Sequence, residues 1–111
     1  MSTLDPGKLT QLRSFYGDEF LSELARLYLE DSARLTARLD EAVEASDLDG
    51  VVASAHDLKS TSAHLGAMEV SESARRIEQA ARSSESFDVL KGLVEGFRPL
   101  YQDAVTAIRE L

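Results

Sequence analysis

The sequence predicts an all-α protein: an antiparallel four-helix bundle, up-down-up-down, with a short additional helix at the N-terminus. Composition and periodicity carry that expectation. Leu and Ala supply 30 of the 111 residues, whereas Val and Ile supply only 9, a balance that favours helices over sheets. Apolar residues also recur every three or four positions along five stretches, the period of an amphipathic helix. The joints between the stretches are a few residues long, and long helices joined so tightly must pack antiparallel. Residues 1–111 read as one domain, without repeats or low-complexity tracts.

Asp5 followed by Pro6 marks an N-cap and a first helical position, opening a short helix that carries Leu9, Leu12 and Phe15. Gly17 interrupts it. A long amphipathic pattern follows from Asp18 to about Ala45, with Phe20, Leu24, Leu27, Tyr28, Leu35, Leu39, Ala42 and Val43 on its apolar side. Glu30 and Arg34 stand at the spacing of an i,i+4 pair. Ser46-Asp47 starts a third helix, about 48–66, whose inward stripe is Leu48, Val51, Val52, Ala55, Leu58, Ser62 and Leu65. After Gly66-Ala67 a fourth helix carries Met68, Val70, Ala74, Ile77 and Ala81, with Glu72–Arg76 and Glu78–Arg82 as surface pairs. Ser83 to Ser86 form a loop. The fifth helix covers about Phe87 to Leu111, and Pro99 inside it predicts a kink or break near Glu95 to Arg98.

Charge and composition exclude much. With 20 acidic against 12 basic residues the net charge is −8, so the positive footprint of a nucleic-acid binder is missing. Anionic membrane surfaces are disfavoured equally, and no apolar run reaches the length of a membrane span. The absence of Cys removes disulfides, thiolate chemistry and Cys-based metal sites. No phosphate-cradling glycine motif and no H-E-x-x-H occurs, so neither ATP binding nor a zinc-protease centre is expected. The N-terminus lacks a signal-peptide pattern. A cytoplasmic protein is the expectation.

The two His residues, His56 and His64, both fall on the third helix. Eight residues separate them, roughly 12 Å along the axis, too far for joint chelation of a metal. No metal site is expected. At 100° per residue, His56 points well over a quarter turn from the inward stripe, so it is not a core histidine. Its neighbours on that face, Ala53, Ser60, Ala63 and Ala67, are all small, with Asp49 and Lys59 beside them. Two readings stand: an idle surface histidine, or an imidazole on a smooth patch open to a flat partner. Lys59, three residues on, either neutralises an anion attached to the ring or snorkels over the core edge.

The string Ala55-His56-Asp57-Leu58-Lys59-Ser60-Thr61-Ser62-Ala63-His64-Leu65-Gly66-Ala67 resembles the signature of histidine-containing phosphotransfer (HPt) domains. That pattern is A-H-x-L-K-[GS]-x-S, followed after three intervening residues by a Gly-Ala pair. The resemblance extends back into the preceding helix and forward to Ser71, Ala74, Ile77 and Glu78. Ser60 stands where Gly is most frequent, and Ser is a frequent alternative. The first and last helices are less diagnostic.

The resemblance implies that His56 is phosphorylated on a ring nitrogen, that Lys59 steadies the phosphoryl group, and that Gly66 permits close helix packing. It implies a phosphorelay intermediate, which takes a phosphoryl group from a receiver-domain phospho-aspartate or a hybrid histidine kinase. The group then passes to a response-regulator aspartate. The partners are receiver domains and a hybrid histidine kinase, docking on Ala53, Ser60, Ala63 and Ala67. No cofactor of its own is expected, Mg²⁺ coming with the receiver. A bundle that closes its own core is expected to be monomeric. One rival is a helical adaptor that binds a partner without phosphotransfer. Another is a kinase dimerisation domain, which calls for an adjacent ATP-binding domain.

Overall fold

Asp5 opens the first helix as its sequence requires. Its carboxylate accepts from the Gly7 N–H at 3.0 Å, and Pro6 occupies the first helical position. The computed structural model describes residues 3–111; Met1 and Ser2, counted in the expected domain, lie outside the described residues. Five helices follow in order: α1 Pro6–Tyr16, α2 Asp18–Glu44, α3 Leu48–His64, α4 Met68–Arg82 and α5 Phe87–Arg109. Two more starts carry side-chain caps, Asp47 accepting from Gly50 N–H at 3.1 Å and Ser86 from Val89 N–H at 3.3 Å. Each satisfies an N–H that has no partner within its helix.

The joints α2–α3, α3–α4 and α4–α5 share one hydrogen-bond pattern. After α3, Gly66 N–H donates to Ala63 O at 3.1 Å and Ala67 N–H to Ser62 O at 2.9 Å, with Gly66 at φ +83°. This is the Schellman closure, which needs a left-handed residue just past the helix. Ser46 (φ 54°) and Ser84 (φ 55°) play that part after α2 and α4. Their helices are closed by Asp47 N–H to Ala42 O at 2.8 Å and Glu85 N–H to Ala80 O at 3.0 Å.

These tight reversals make the bundle run up-down-up-down. The third helix packs against α2 and α4, α5 closes the ring against α4 and α2, and α1 lies along α2. Leu39, Leu58, Leu65, Ile77, Leu90 and Phe97 fill the centre. Two hydroxyl pairs cross it: Tyr28 with Ser62 at 2.8 Å and Ser32 with Tyr101 at 2.7 Å. Among the described residues no helix is long and apolar enough to cross a membrane.

Several local expectations are corrected. Phe15, Phe20 and Leu27, read as core-facing, are exposed, Phe15 by 72%. Phe20 and Leu27 adjoin the buried positions Leu21 and Tyr28 but point one step round the helix from them, so the buried stripe of α2 is narrower than its apolar one. The α1 helix, which carries Phe15, packs against no helix but α2 among the described residues. Glu30 pairs with Arg26 at 2.8 Å, and Arg34 leans to Asp31 instead. The third helix ends at His64, short of Gly66. Pro99 does not break α5, which continues through it; Pro99 itself is exposed, while Phe97 and Ala104 on either side are buried.

Gly66 earns its place twice. A Cβ there would lie 3.2 Å from Lys8 Cβ and 3.4 Å from Asp5 N, and Asp5 N–H donates to Gly66 O at 2.8 Å. The close approach expected of it is therefore to the start of α1. Gly66→Ala is expected to cost about 1–3 kcal/mol, the usual penalty of a strained left-handed residue. Ser84→Gly, at the equivalent but open position, is expected to stabilise by up to about 1 kcal/mol. Urea denaturation of the two variants checks the pair, and equal effects of one sign would contradict the assignment.

Candidate functional site

His56 stands at mid-α3 with 51% of its side chain exposed, on the outer face as the periodicity requires. Its Nδ1 lies 3.0 Å from Oε2 of Glu78, which projects from α4. Lys59, one turn further along α3, donates from Nζ to the other oxygen, Oε1, at 2.8 Å. Arg82, one turn on from Glu78, donates to Oε2 from Nε at 3.0 Å and from Nη2 at 2.8 Å. Three side chains from two helices thus meet on the carboxylate of Glu78.

That carboxylate is the component that sequence reasoning misplaced. Glu78 was expected on the surface in a pair with Arg82, yet only 6% of its side chain is exposed. The pattern does contain the signal. Glu78 lies seven residues after Ser71 and four after Ala74, and both of these are buried, so all three share the inner side of α4. Ser71 holds the same seam, its hydroxyl donating to Lys59 O at 2.8 Å.

Burial pushes the Glu78 pKa up. The hydrogen bonds from Lys59, Arg82 and His56, with the Lys59 charge, outweigh burial and bring the carboxyl down to about 2. An ionised carboxylate only accepts, so the hydrogen in the His56–Glu78 contact belongs to Nδ1. In the neutral ring the lone pair then sits on Nε2, for which no partner is present among the described residues. The arrangement presents a nucleophilic nitrogen outward and fixes the tautomer from behind. Lys59 does not simply snorkel; its ammonium is held by Glu78 beside the ring.

Of the expected docking residues, Ala53 is exposed, and Ser60 and Ala63 are half-buried on the same helix. Ala67 is a correction: it is 0% exposed and caps α4 inside the core. Its placement beside His56 extended the face of α3 past the end of that helix, where left-handed Gly66 turns the chain inward. On the α2 side of His56, a cleft of about 420 Å³ is lined by Ala53 and Asp57 of α3 and by Arg38 and Glu41 of α2. His64 is exposed and joins none of these groups.

Because the Glu78 carboxyl is held well below its ordinary 4.5, the ionised group stabilises the fold. Its contribution is complete above about pH 4.5 and is lost as pH falls toward 2, a swing of roughly 3 kcal/mol. Glu78→Gln removes that titration. Wild type is therefore expected to be the more stable at neutral pH, with the difference shrinking below about pH 4.5. Urea midpoints across the acid range check this, and a difference independent of pH would refute it.

Among curated proteins none matches the sequence significantly. The structure is similar to the crystal structure of histidine-containing phosphotransfer protein B (HptB) from Pseudomonas aeruginosa PAO1, with a TM-score of 0.87 at 22% identity. The likeness covers 97% of this chain and 92% of that one, and it extends to the fold. The family model for the Hpt domain matches residues 23–110, from early in α2 to the end of α5. That span includes His56, Lys59, Glu78 and Arg82, and the chain belongs to the Hpt domain family.

Proposed function

We propose that this Hpt domain is a phosphorelay intermediate whose phosphoryl carrier is Nε2 of His56. The observation that carries the reading is a half-exposed imidazole tied through Nδ1 to a buried, ionised carboxylate. The donor is a receiver-domain phospho-aspartate. Nε2 attacks phosphorus, the N–P bond forms as the acyl O–P bond breaks, and the electron pair leaves with the partner's carboxylate. The Nδ1 proton stays between the ring and Glu78. Transfer to a second receiver's aspartate is the same step reversed.

Phosphoryl transfer needs in-line positioning and charge neutralisation more than covalent machinery. Lys59 supplies one positive charge beside the ring. Mg²⁺ comes with the receiver. The receivers, charged in turn by a hybrid histidine kinase, dock on the outer face of α3 at Ala53, Ser60 and Ala63, in the cytoplasm and on a monomeric bundle. Small side chains there leave the ring accessible to a flat partner despite the overall charge of −8.

Incubation with receiver domains charged by radiolabelled acetyl phosphate tests the assignment. His56→Gln is expected to abolish acid-labile labelling, and His64→Gln to leave most of it. Lys59→Ala is expected to keep the fold and slow transfer. Equal labelling of the His56 variant would move the phosphoryl group elsewhere.

The docking face has its own test. Ala53→Arg places a long side chain on an exposed helical position that tolerates it, so thermal stability is expected to stay near wild type while receiver binding and transfer fall sharply. Normal transfer by the folded Ala53→Arg protein would place docking on another face. Protein that binds receivers but never becomes labelled would be an adaptor.

A further inference from the structure

Six large apolar side chains are exposed among the described residues, and three of them, Phe15, Tyr16 and Phe20, meet at the corner between α1 and α2. Their ring centroids are 6.4 Å (Phe15–Tyr16) and 4.6 Å (Tyr16–Phe20) apart, so the three form one continuous surface. Leu27, also exposed, stands seven residues after Phe20 and continues that surface along α2. Beside the rings a cleft of about 330 Å³ runs along α1, lined by Lys8, Gln11, Leu12, Phe15 and Tyr16. The core uses none of the three rings. The family model begins at residue 23, beyond all of them.

We propose that this aromatic corner is a self-recognition surface, on which a second copy of the chain docks by two-fold symmetry. In such a pairing the patch meets itself, so the rings of one copy pack on the rings and the α1 cleft of the other. Charge selects this end of the molecule. The chain carries −8 in all, which drives two copies apart over most of their surface, but residues 8–20 balance Lys8 and Arg13 against Asp18 and Glu19. Asp18 is 88% exposed and Lys8 has no ion pair among the described residues, so each copy offers the other both signs.

Area sets the strength of the pair. At roughly 200 Å² per aromatic side chain, rings exposed by 72%, 62% and 43% present on the order of 350 Å². A patch of that size marks interaction sites, yet it is about half of what each partner buries in a stable complex. The pair is therefore weak and forms with concentration. Each copy keeps its own closed core, and the single bundle remains the unit that carries the phosphoryl group. His56 stays open in the pair. The Tyr28–Ser62 bond marks a common level of α2 and α3; Phe20 lies eight residues from it one way and His56 six the other, about 20 Å apart along the axis. A receiver has to contact His56 itself, so the corner calls for a different occupant.

Sedimentation equilibrium of wild type, Phe15→Gln, Phe20→Gln and Met68→Gln, from about 10 μM to about 1 mM to cover weak affinities, tests the proposal. The wild-type mass is expected to rise from 12.2 kDa toward twice that value. Both ring variants, altered only at exposed positions, are expected to stay folded and at 12.2 kDa. Met68, exposed on α4 and outside the ring cluster, is the control, and its variant is expected to pair like wild type. This readout involves no receiver and stands apart from the phosphoacceptor reading. A wild type that remains at 12.2 kDa throughout would overturn the proposal. So would pairing that survives either ring substitution, or pairing lost in Met68→Gln, since each puts the contact on another face. Labelling of His56 by a charged receiver separates the remaining occupant. Phe15→Gln is expected to transfer at the wild-type rate, and loss of transfer by the folded variant would give the corner to the receiver instead of a second copy.

Discussion

A carboxylate buried between two helices has to be matched by donors, and Glu78 obtains its donors from both sides of the α3–α4 seam. Desolvation of an unpaired carboxylate costs several kcal/mol, so the fold is committed to placing His56 and Lys59 on the α4-facing edge of α3 and Arg82 one turn along α4. The hydrogen bond from Ser71 to Lys59 O fixes the same seam through the backbone. Breaking the register of α3 against α4 by one turn would strand a charge. The contact that holds the two helices together is therefore also the one that orients the imidazole.

The remainder of the core is built to let helices approach rather than to distinguish one alignment from another. Ala25, Ala42, Ala55, Ala74, Ala81 and Ala104 are all buried, and small side chains carry little shape information. Polar pairs supply what they lack. Tyr28 meets Ser62 and Ser32 meets Tyr101, linking α2 to α3 and to α5. Burial pushes the Tyr28 hydroxyl up to about 12, partly offset by its bond to Ser62, so it stays un-ionised at neutral pH. Such pairs penalise alternative registers more than they add stability. Thr36, whose buried hydroxyl has no partner among the described residues, is the exception in this layer.

What the sequence revealed and what it hid follow from the range of the physics involved. Helix starts at Asp5-Pro6 and Asp47 are encoded within three residues, by a carboxylate and the N–H groups it caps, and were legible for that reason. His56 was legible too, since its direction depends only on the turn of one helix. Glu78 depends on which side of α4 is covered, and its pairing with Arg82 at i,i+4 looks the same on a wet face as on a dry one. Phe20 and Leu27 fit an apolar stripe by spacing, but the covered side of α2 runs through Leu21, Ala25 and Tyr28, one step round the helix from them, and no local signal marks where the covered side ends. Ala67 was misplaced because a helical face cannot be projected beyond a left-handed residue. Pro99 was expected to kink or break α5, yet the helix runs unbroken through it, with Phe97 and Ala104 buried on either side.

A carrier that must both accept and surrender the same group is poorly served by a site that binds it tightly. Free cations around His56 would hold a phosphoryl dianion strongly and slow its departure. Here Lys59 and Arg82 are already engaged by Glu78 before any phosphoryl group arrives, so the attraction they offer is moderated by a competing carboxylate. The three-fold pairing of Glu78 keeps its negative charge available to the ring without leaving that charge unmatched in the fold. On a face otherwise lined by Ala53, Ser60 and Ala63, this balance of charges is what a phosphoryl group carried by His56 would meet.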